Sequence, residues 1–508
     1  MIQKTKKIDL LKKKNENNEF KNRKLKLQKL KKKGFNFPNK FKKKNYFHEI
    51  YLKYNSQNRN ELKSNQNKVQ TAGRIIQKRI MGKSIFMHLQ DSEGKIQIYC
   101  RQDSLNSTKN NFKKFKNLDL GDIIGIIGTI FKTKTNELTI HCKKFILLTK
   151  SLRSLPEKFH GLVNKETRYR KRYLDFISNN NLKKTFKKRS KLISIIRNYM
   201  NKKKFLEVET PMLHNIPGGA IAKPFITYHN SLNKKMYLRI APELYLKRLI
   251  IGGFEKIFEI NRNFRNEGIS TRHNPEFTMM EIYIAYSNYK YLMKFLENLI
   301  RYLSKKINKN YIIKYRKNIF DLKKPFLKLT MKESIMKFNK FIHLKDFKNL
   351  NQLKKITKKL NLKIKNTWGI GKIITEIFEK TVEKKLIYPT FITEYPIEVS
   401  PLARKKNNNE FFSDRFEFFI GGYEIGNGFS ELNDPEEQKK RFKIQIKKEE
   451  LKKNKKKKYD KDYILALEHG MPPTAGLGIG IDRLTMIFTN QKNIKDVIMF
   501  PNMRLIKK

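Results

Sequence analysis

Three stretches far apart in the chain hold charged side chains where charge needs a reason. The first is EKIFEINRNFRNEGISTRHNPEFTMMEIY, residues 255–283, with Arg265, Glu267, Arg272, His273 and Glu281. The pattern predicts a strand over IFEINRNFRNE, a polar loop over GIS and TRHNPE, and a returning strand over FTMMEIYIAY. Arg265 and Glu267 are two apart, so on a strand both project from one face. Arginines on a buried sheet need an anionic ligand or acidic neighbours, and this spacing fits a ligand site and an internal Arg–Glu network alike. The second stretch is DRFEFFIGGYEIGNGFSELNDPEEQ, residues 414–438. It sets Glu417, Glu424 and Glu431 among Phe416, Phe418, Phe419 and Ile420. FEFFIGG predicts a buried strand, and acids there point to a hard divalent cation bridging phosphate oxygens or to a ligand ammonium. The third is AGLGIGIDRLTMIF, residues 475–488. Its alternating Gly476, Gly478 and Gly480 leave one strand face bare for a flat ligand or a close backbone. Arg483 opens a helical run and can hold a phosphate. No GK[ST] follows, and the spacing is not GxGxxG, so neither a P-loop nor a dinucleotide fingerprint is present.

These segments must be held by a larger frame. The chain has 508 residues, which predicts two to four domains. Hydrophobic residues make up 39%, too many for a wholly disordered chain. Lys and Arg number 114 against 46 Asp and Glu, a net charge of +68. That excess fits a polyanion partner such as nucleic acid. It fits base-composition drift equally, because the favoured Lys, Asn, Ile, Phe and Tyr have A/T-rich codons. Cys100 and Cys142 form no CxxC pair, which argues against zinc, excludes a disulfide framework and leaves a reducing, cytoplasmic setting as the expectation. No apolar run reaches the length of a membrane span, and the basic start is not followed by the apolar stretch of a signal peptide.

Residues 1–65 are dominated by Lys and Asn, and Leu25, Leu27 and Leu30 predict a basic amphipathic helix ended by Gly34 and Pro38. Short β-like segments with turn signals then run from Val69 to Leu148, matching a small five-stranded barrel of the oligonucleotide-binding type. Residues 151–185 read as a linker with helical pieces. A helix over 186–205 leads into LEVETPML, and the remainder alternates without a βαβ rhythm, which predicts an antiparallel mixed domain. The basic stretches near 350–365 and 439–459 read as surface helices or insertions. The expected division is a helical extension at 1–65, a barrel at 66–150, a linker at 151–185 and a catalytic domain at 186–508.

Taken in order, the helix and strand ending at Pro211, FRNE with RHNPEF, and GLGIGIDR resemble the three signature motifs of class II aminoacyl-tRNA synthetases. PGGA, FITYHN, YLRIAPELYLKRL, EIGNGFSELND and HGMPPTAGLGIGIDR are similar to the bacterial-type lysyl-tRNA synthetases, and the likeness runs from about residue 20 to the end. The resemblance implies an α+β protein: an OB-fold anticodon-binding barrel, then a catalytic domain on an antiparallel sheet with flanking helices. It implies ATP-dependent activation of L-lysine, transfer to the 3′ end of tRNA-Lys, Mg²⁺ as cofactor and a homodimer. Arg265 would grip the α-phosphate and the amino-acid carboxylate, Phe277 would stack on adenine, and Glu267 would contact its exocyclic amine. Arg272 and His273 would reach the outer phosphates, and Arg483, after Gly480, the γ-phosphate. Glu417 and Glu424 would bind magnesium. Gly219 and Glu243 would recognise the α-amino group, with Glu281, Tyr283, Asn427, Phe429 and Glu431 lining the lysine pocket. In the barrel, Phe86 would stack on an anticodon base, with Arg79, Gln97 and Glu137 as polar partners; core packing is the other reading of Phe86. Lys223 stands where relatives carry an arginine, and it lacks the bidentate fork. A relative that lysylates a protein factor would lack the barrel. A non-catalytic RNA-binding relative would have lost Arg265, Glu417, Glu424 and Arg483.

Overall fold

The computed structural model describes residues 2–65, 67–104, 109–156, 164–453 and 459–505. Residues 157–163 of the expected linker and 454–458 of the basic stretch 439–459 lie outside these. The chain divides into two compact units, Met1–Val163 and Asn164–Lys508.

The first unit opens with helix α1 (Ile2–Lys32). The expected apolar stripe is not what anchors it: Leu25 is exposed and Leu27 and Leu30 are only half-buried. Among its described side chains the buried one is Arg23, which donates to the Leu120 carbonyl at 2.7 Å and pairs with Glu19. The barrel strands are β1 (Lys68–Met81), β2 (Ser84–Gln90), β3 (Lys95–Arg101), β4 (Ile123–Lys132) and β5 (Leu138–Thr149). They close in the order β1-β2-β3-β5-β4, with β3 and β5 parallel. Alternation decides the inside: Ile85, Met87 and Leu89 of β2 and Ile96, Ile98 and Cys100 of β3 are buried. Cys100 and Cys142 are both free thiols in this core.

The second unit begins earlier than residue 186. Residues Lys165–Arg170 and Arg172–Ser178, expected as linker, form two short helices. Arg172 is fully buried and donates to the carbonyls of Lys495, Ile498 and Met499, so these helices are stapled to the end of the chain. Helix α2 (Asn180–Lys202) follows, capped by Asn179. The sheet strands are β6 (Leu206–Glu207), β7 (Lys256–Phe264), β8 (Glu276–Ala285), β9 (Leu327–Thr330), β10 (Thr390–Thr393), β11 (Arg415–Ile420), β12 (Tyr423–Ser430) and β13 (Thr474–Gly480). Their order is β9-β10-β11-β12-β13-β8-β7-β6. The central pairs are antiparallel; only the outermost pairs, β7 with β6 and β9 with β10, are parallel. The strand before Pro211 is therefore two residues long.

Helix α4 (Tyr289–Asn308) covers one face with Leu292, Leu296, Leu299 and Leu303, the spacing of one helical stripe. Helix α3 (Glu243–Ile251) and helix α5 (Lys461–Glu468) pack on the other side, while helix α6 (Ile481–Thr489) buries Leu484, Met486 and Ile487 in the same core as α4. The expected surface helices exist as Leu350–Lys359 and Pro435–Lys453; the first buries Leu353 and Ile356. No helix among the described residues is long and apolar enough to cross a membrane. Replacing Arg172 with Ala should strip the donor from three carbonyls, while Asp175 keeps Arg168, and cost about 1–3 kcal/mol for each group left unsatisfied, read as a lower urea midpoint for the second unit.

Candidate functional site

Over the open face of the sheet lies a cleft of about 1200 Å³, and residues from all three charged stretches line it. Arg265 lies just past β7, which ends at Phe264, so strand alternation does not set its direction. It is held by its backbone N–H donating to Pro275 at 2.8 Å. Glu267 is exposed in the loop beyond, and does not share a strand face with Arg265. The Arg265 guanidinium sits over the Phe277 ring at 5.1 Å and makes no ion pair among the described residues. Burial lowers its pKa, with Glu424 the largest opposing charge. A desolvated cation on a ring face, with no carboxylate in ion-pair range, can take an anion.

Its neighbours are partnered. Arg272 pairs with Glu383 at 3.1 Å and lies over Tyr423 at 4.7 Å. Arg483, in the first turn of α6, pairs with Glu424 at 3.1 Å and reaches His273 Nε2 at 3.2 Å. Burial and then Arg483 lower the pKa of His273, so the ring is neutral; Nε2 accepts from Arg483 while Nδ1 faces Ser270 Oγ. Asp482 fixes this corner: it accepts the Thr278 N–H at 2.8 Å and pairs with Arg189 of α2. Gly480 caps the helix and lines the cleft.

A β-bulge aims the acids. Phe418 pairs with Gly426 but Phe419 pairs with Glu424, so β12 carries one extra residue. Ile425 and Gly426 both turn to the core, where a Cβ on Gly426 would meet Leu296. Glu424 and Asn427, three residues apart, consequently both line the cleft. Glu417 pairs across with Asn427 and does not itself line the cleft. It accepts from Tyr395 at 2.8 Å and from Arg415 at 2.6 Å, while Arg415 also donates to Asn427 at 3.1 Å. Burial, then Glu424, raises the Glu417 pKa to about 7. Glu417 and Glu424 each face an arginine, Arg415 and Arg483, and their carboxylate oxygens are the donors a hard divalent cation takes. No cluster of three or more metal-ligating side chains occurs among the described residues.

The deep end is acidic. Glu243, at the start of α3, and Glu431 both contact the fully buried Lys247, Glu243 at 2.7 Å. Glu281 accepts from the Tyr283 hydroxyl at 3.3 Å, and the Phe429 ring lies 5.5 Å from the Lys247 ammonium. Glu431 Oε1 is buried without a hydrogen-bond donor. A Cβ on Gly476 would land on that oxygen and within 2.7 Å of Tyr283, so glycine is required there. Gly219 has φ +82, and a Cβ would press on Glu243 at 3.1 Å. Lys223 is exposed and does not line the cleft; its carbonyl accepts from Asn266. Lys247 and Arg415 were not singled out from sequence. The four-residue step from Glu243 to Lys247 was the available signal for the first.

On the barrel, Phe86 is absent from the core and lies on the outer face, paired with Arg79 and Tyr99 in register. The Phe86 and Tyr99 rings meet at 4.9 Å between centroids, tilted by 43°, and His141 flanks Tyr99 at 5.4 Å. Gln97 donates to Glu137 at 2.7 Å on the same face. The result is an aromatic surface edged by polar groups, the form that takes unstacked bases.

Burial first, and Glu243 next, push Glu281 up to about 8. The folded chain then keeps a proton there that the unfolded chain gives up near pH 4.5, so folding stability falls as pH rises towards 8. The melting temperature of the wild type should drop relative to Glu281→Gln between about pH 5 and 8.5. Parallel curves would mean an ordinary carboxyl.

Known families match a part of each of the two compact units. Residues 164–504 match the family described as tRNA synthetases class II (D, K and N), and residues 69–148 match an OB-fold nucleic acid binding domain. The lysine–tRNA ligase of Buchnera aphidicola subsp. Schizaphis graminum is 62% identical over 488 residues, covering 96% of each chain. That of Buchnera aphidicola subsp. Cinara cedri is 61% identical over 510 residues, covering 99% of this chain and all of the relative. That of Yersinia pestis (strain Pestoides F) is 54% identical over 491 residues, covering 97% of each.

Proposed function

The chain belongs to the class II tRNA synthetases of the D, K and N group, and we propose that it activates L-lysine with ATP and transfers it to the 3′ end of tRNA-Lys. The observation that carries this reading is the combination of a guanidinium without an ion pair among the described residues, Arg265, and a deep carboxylate end closed by Glu431, whose Oε1 lacks a donor. One end wants an anion and the other a cation. A lysine molecule supplies a carboxylate and two ammonium groups.

In the first step the amino-acid carboxylate attacks the α-phosphorus in line, pyrophosphate leaves, and no general base is needed. Arg265 holds both the attacking carboxylate and the α-phosphate, which lowers the repulsion between them. Phe277 carries adenine, and Glu267 accepts its exocyclic amine. Arg272, His273 and Arg483 keep the leaving phosphates bent over the sheet. Gly219 and Glu243 take the α-ammonium, while Glu281, Tyr283, Asn427, Phe429 and Glu431 enclose the side chain. Glu417 and Glu424 would hold Mg²⁺, which supplies charge neutralisation for the phosphate oxygens. In the second step the activated acyl group passes to a ribose hydroxyl. The barrel reads the anticodon by stacking on Phe86, with Arg79, Gln97 and Glu137 on base edges. A second copy of the chain would cover Leu206 of β6, Met212, and Leu213, Ile226 and Tyr228 of the three-stranded sheet formed by Leu213–His214, Ile226–His229 and Lys234–Leu238, all of them exposed.

Arg265→Ala should lower lysine-dependent ATP–pyrophosphate exchange by at least about 100-fold while the circular dichroism spectrum is unchanged. Exchange close to wild type would refute the assignment. Phe86→Ala should cut tRNA charging by about 10- to 100-fold and leave lysine activation alone. Equal loss in both assays would make Phe86 a packing residue.

A further inference from the structure

Lys247 is buried to the last atom, yet nothing in the reaction described above uses it. Its ammonium sits 2.7 Å from Glu243 Oε1 on its own helix and contacts Glu431 Oε2 just past β12. The Phe429 and Tyr463 rings close the shell at 5.5 and 6.0 Å, and Glu281 and Tyr283 stand beyond on β8. Helix geometry alone would give an ordinary four-residue pair with Glu243. Fastening α3 by a buried ion pair is a poor use of a lysine, because an apolar residue of that size is usually no less stable there.

Charge gives it a different task. The cleft holds three carboxylates at its deep end, Glu243, Glu281 and Glu431, against Lys247 among them and Arg265 towards the other end. In the free chain the proton kept on Glu281 offsets the third carboxylate; once an entering ammonium displaces that proton, one negative charge is left over. A lysine molecule at neutral pH carries one net positive charge and neutralises it; a neutral or acidic amino acid does not. We propose that Lys247 is a resident counter-ion that sets how many positive charges the pocket takes up, and so acts as a specificity-determining positioning residue. This rests on the reading of the cleft as a lysine site. The ammonium also occupies one oxygen of Glu431 and leaves the other, Oε1, facing the bare backbone at Gly476, where an incoming cation can meet it. Burial works against the charge on Lys247, and Glu243 and Glu431 more than offset it, so it stays protonated.

Removing that charge should let the pocket accept one more positive charge than lysine brings. The test uses the full chain with Lys247→Met, of similar length, and Lys247→Gln, which keeps a hydrogen-bond donor without charge. KM for lysine in ATP–pyrophosphate exchange should rise by about tenfold or more, while KM for ATP stays within about twofold. Competitive inhibition by 1,5-diaminopentane, a dication without a carboxylate, should strengthen relative to lysine by about tenfold or more. If Lys247→Met does not fold, Lys247→Gln carries the measurement, and a purely structural role predicts that its donor restores wild-type behaviour. A folded Lys247→Gln with unchanged KM for lysine, or with an unchanged diamine-to-lysine ratio, overturns the proposal. Wild-type chain that fails to exchange with lysine would overturn the substrate reading instead, so the two failures are distinguishable.

Discussion

A guanidinium taken out of water without a carboxylate to meet it is the constraint from which the rest of the second unit follows. Arg265 lies over Phe277, partly desolvated, while its neighbours Arg272 and Arg483 are each matched to a glutamate. Such a site is costly to leave empty and strong when an anion arrives, because few waters remain to compete. The fold therefore has to hold it rigidly. It does so by ending β7 at Phe264, tying Arg265 to Pro275, and pinning α6 through Asp482 to Thr278 and Arg189.

The acidic end obeys the same rule with the sign reversed. Carboxylates cannot crowd together below the sheet surface unless cations accompany them. Lys247 is built in, Arg415 braces Glu417 and Asn427 together, and the remaining demand is left for ligands. The raised values at Glu281 and Glu417 are the free chain's response to that demand.

The large features were legible in the sequence because they are periodic or chemically odd. Alternation over 69–148 gave the barrel, and Glu424 and Glu431 after FEFFIGG, with glycines at 476, 478 and 480, marked the cleft. What escaped was whatever breaks period or depends on distant partners. The bulge at Ile425 reverses the direction of Glu424, and no local pattern announces it. The end of β7 before Arg265 undoes the parity that pairs it with Glu267. In the first unit, Leu25, Leu27 and Leu30 look like the buried stripe of α1, yet Arg23 is the buried residue because its partner is a carbonyl at Leu120. Arg172 looked like part of a charged spacer for the same reason: its acceptors lie near residue 498.

A crystal structure of the full chain with ATP and lysine bound tests the central claim most directly. The account predicts a bent triphosphate on the sheet with its α-phosphate on Arg265, and the lysine side-chain ammonium within hydrogen-bond distance of Glu431 Oε1. Nucleotide bound elsewhere, with Arg265 turned onto a neighbouring acid, would contradict it.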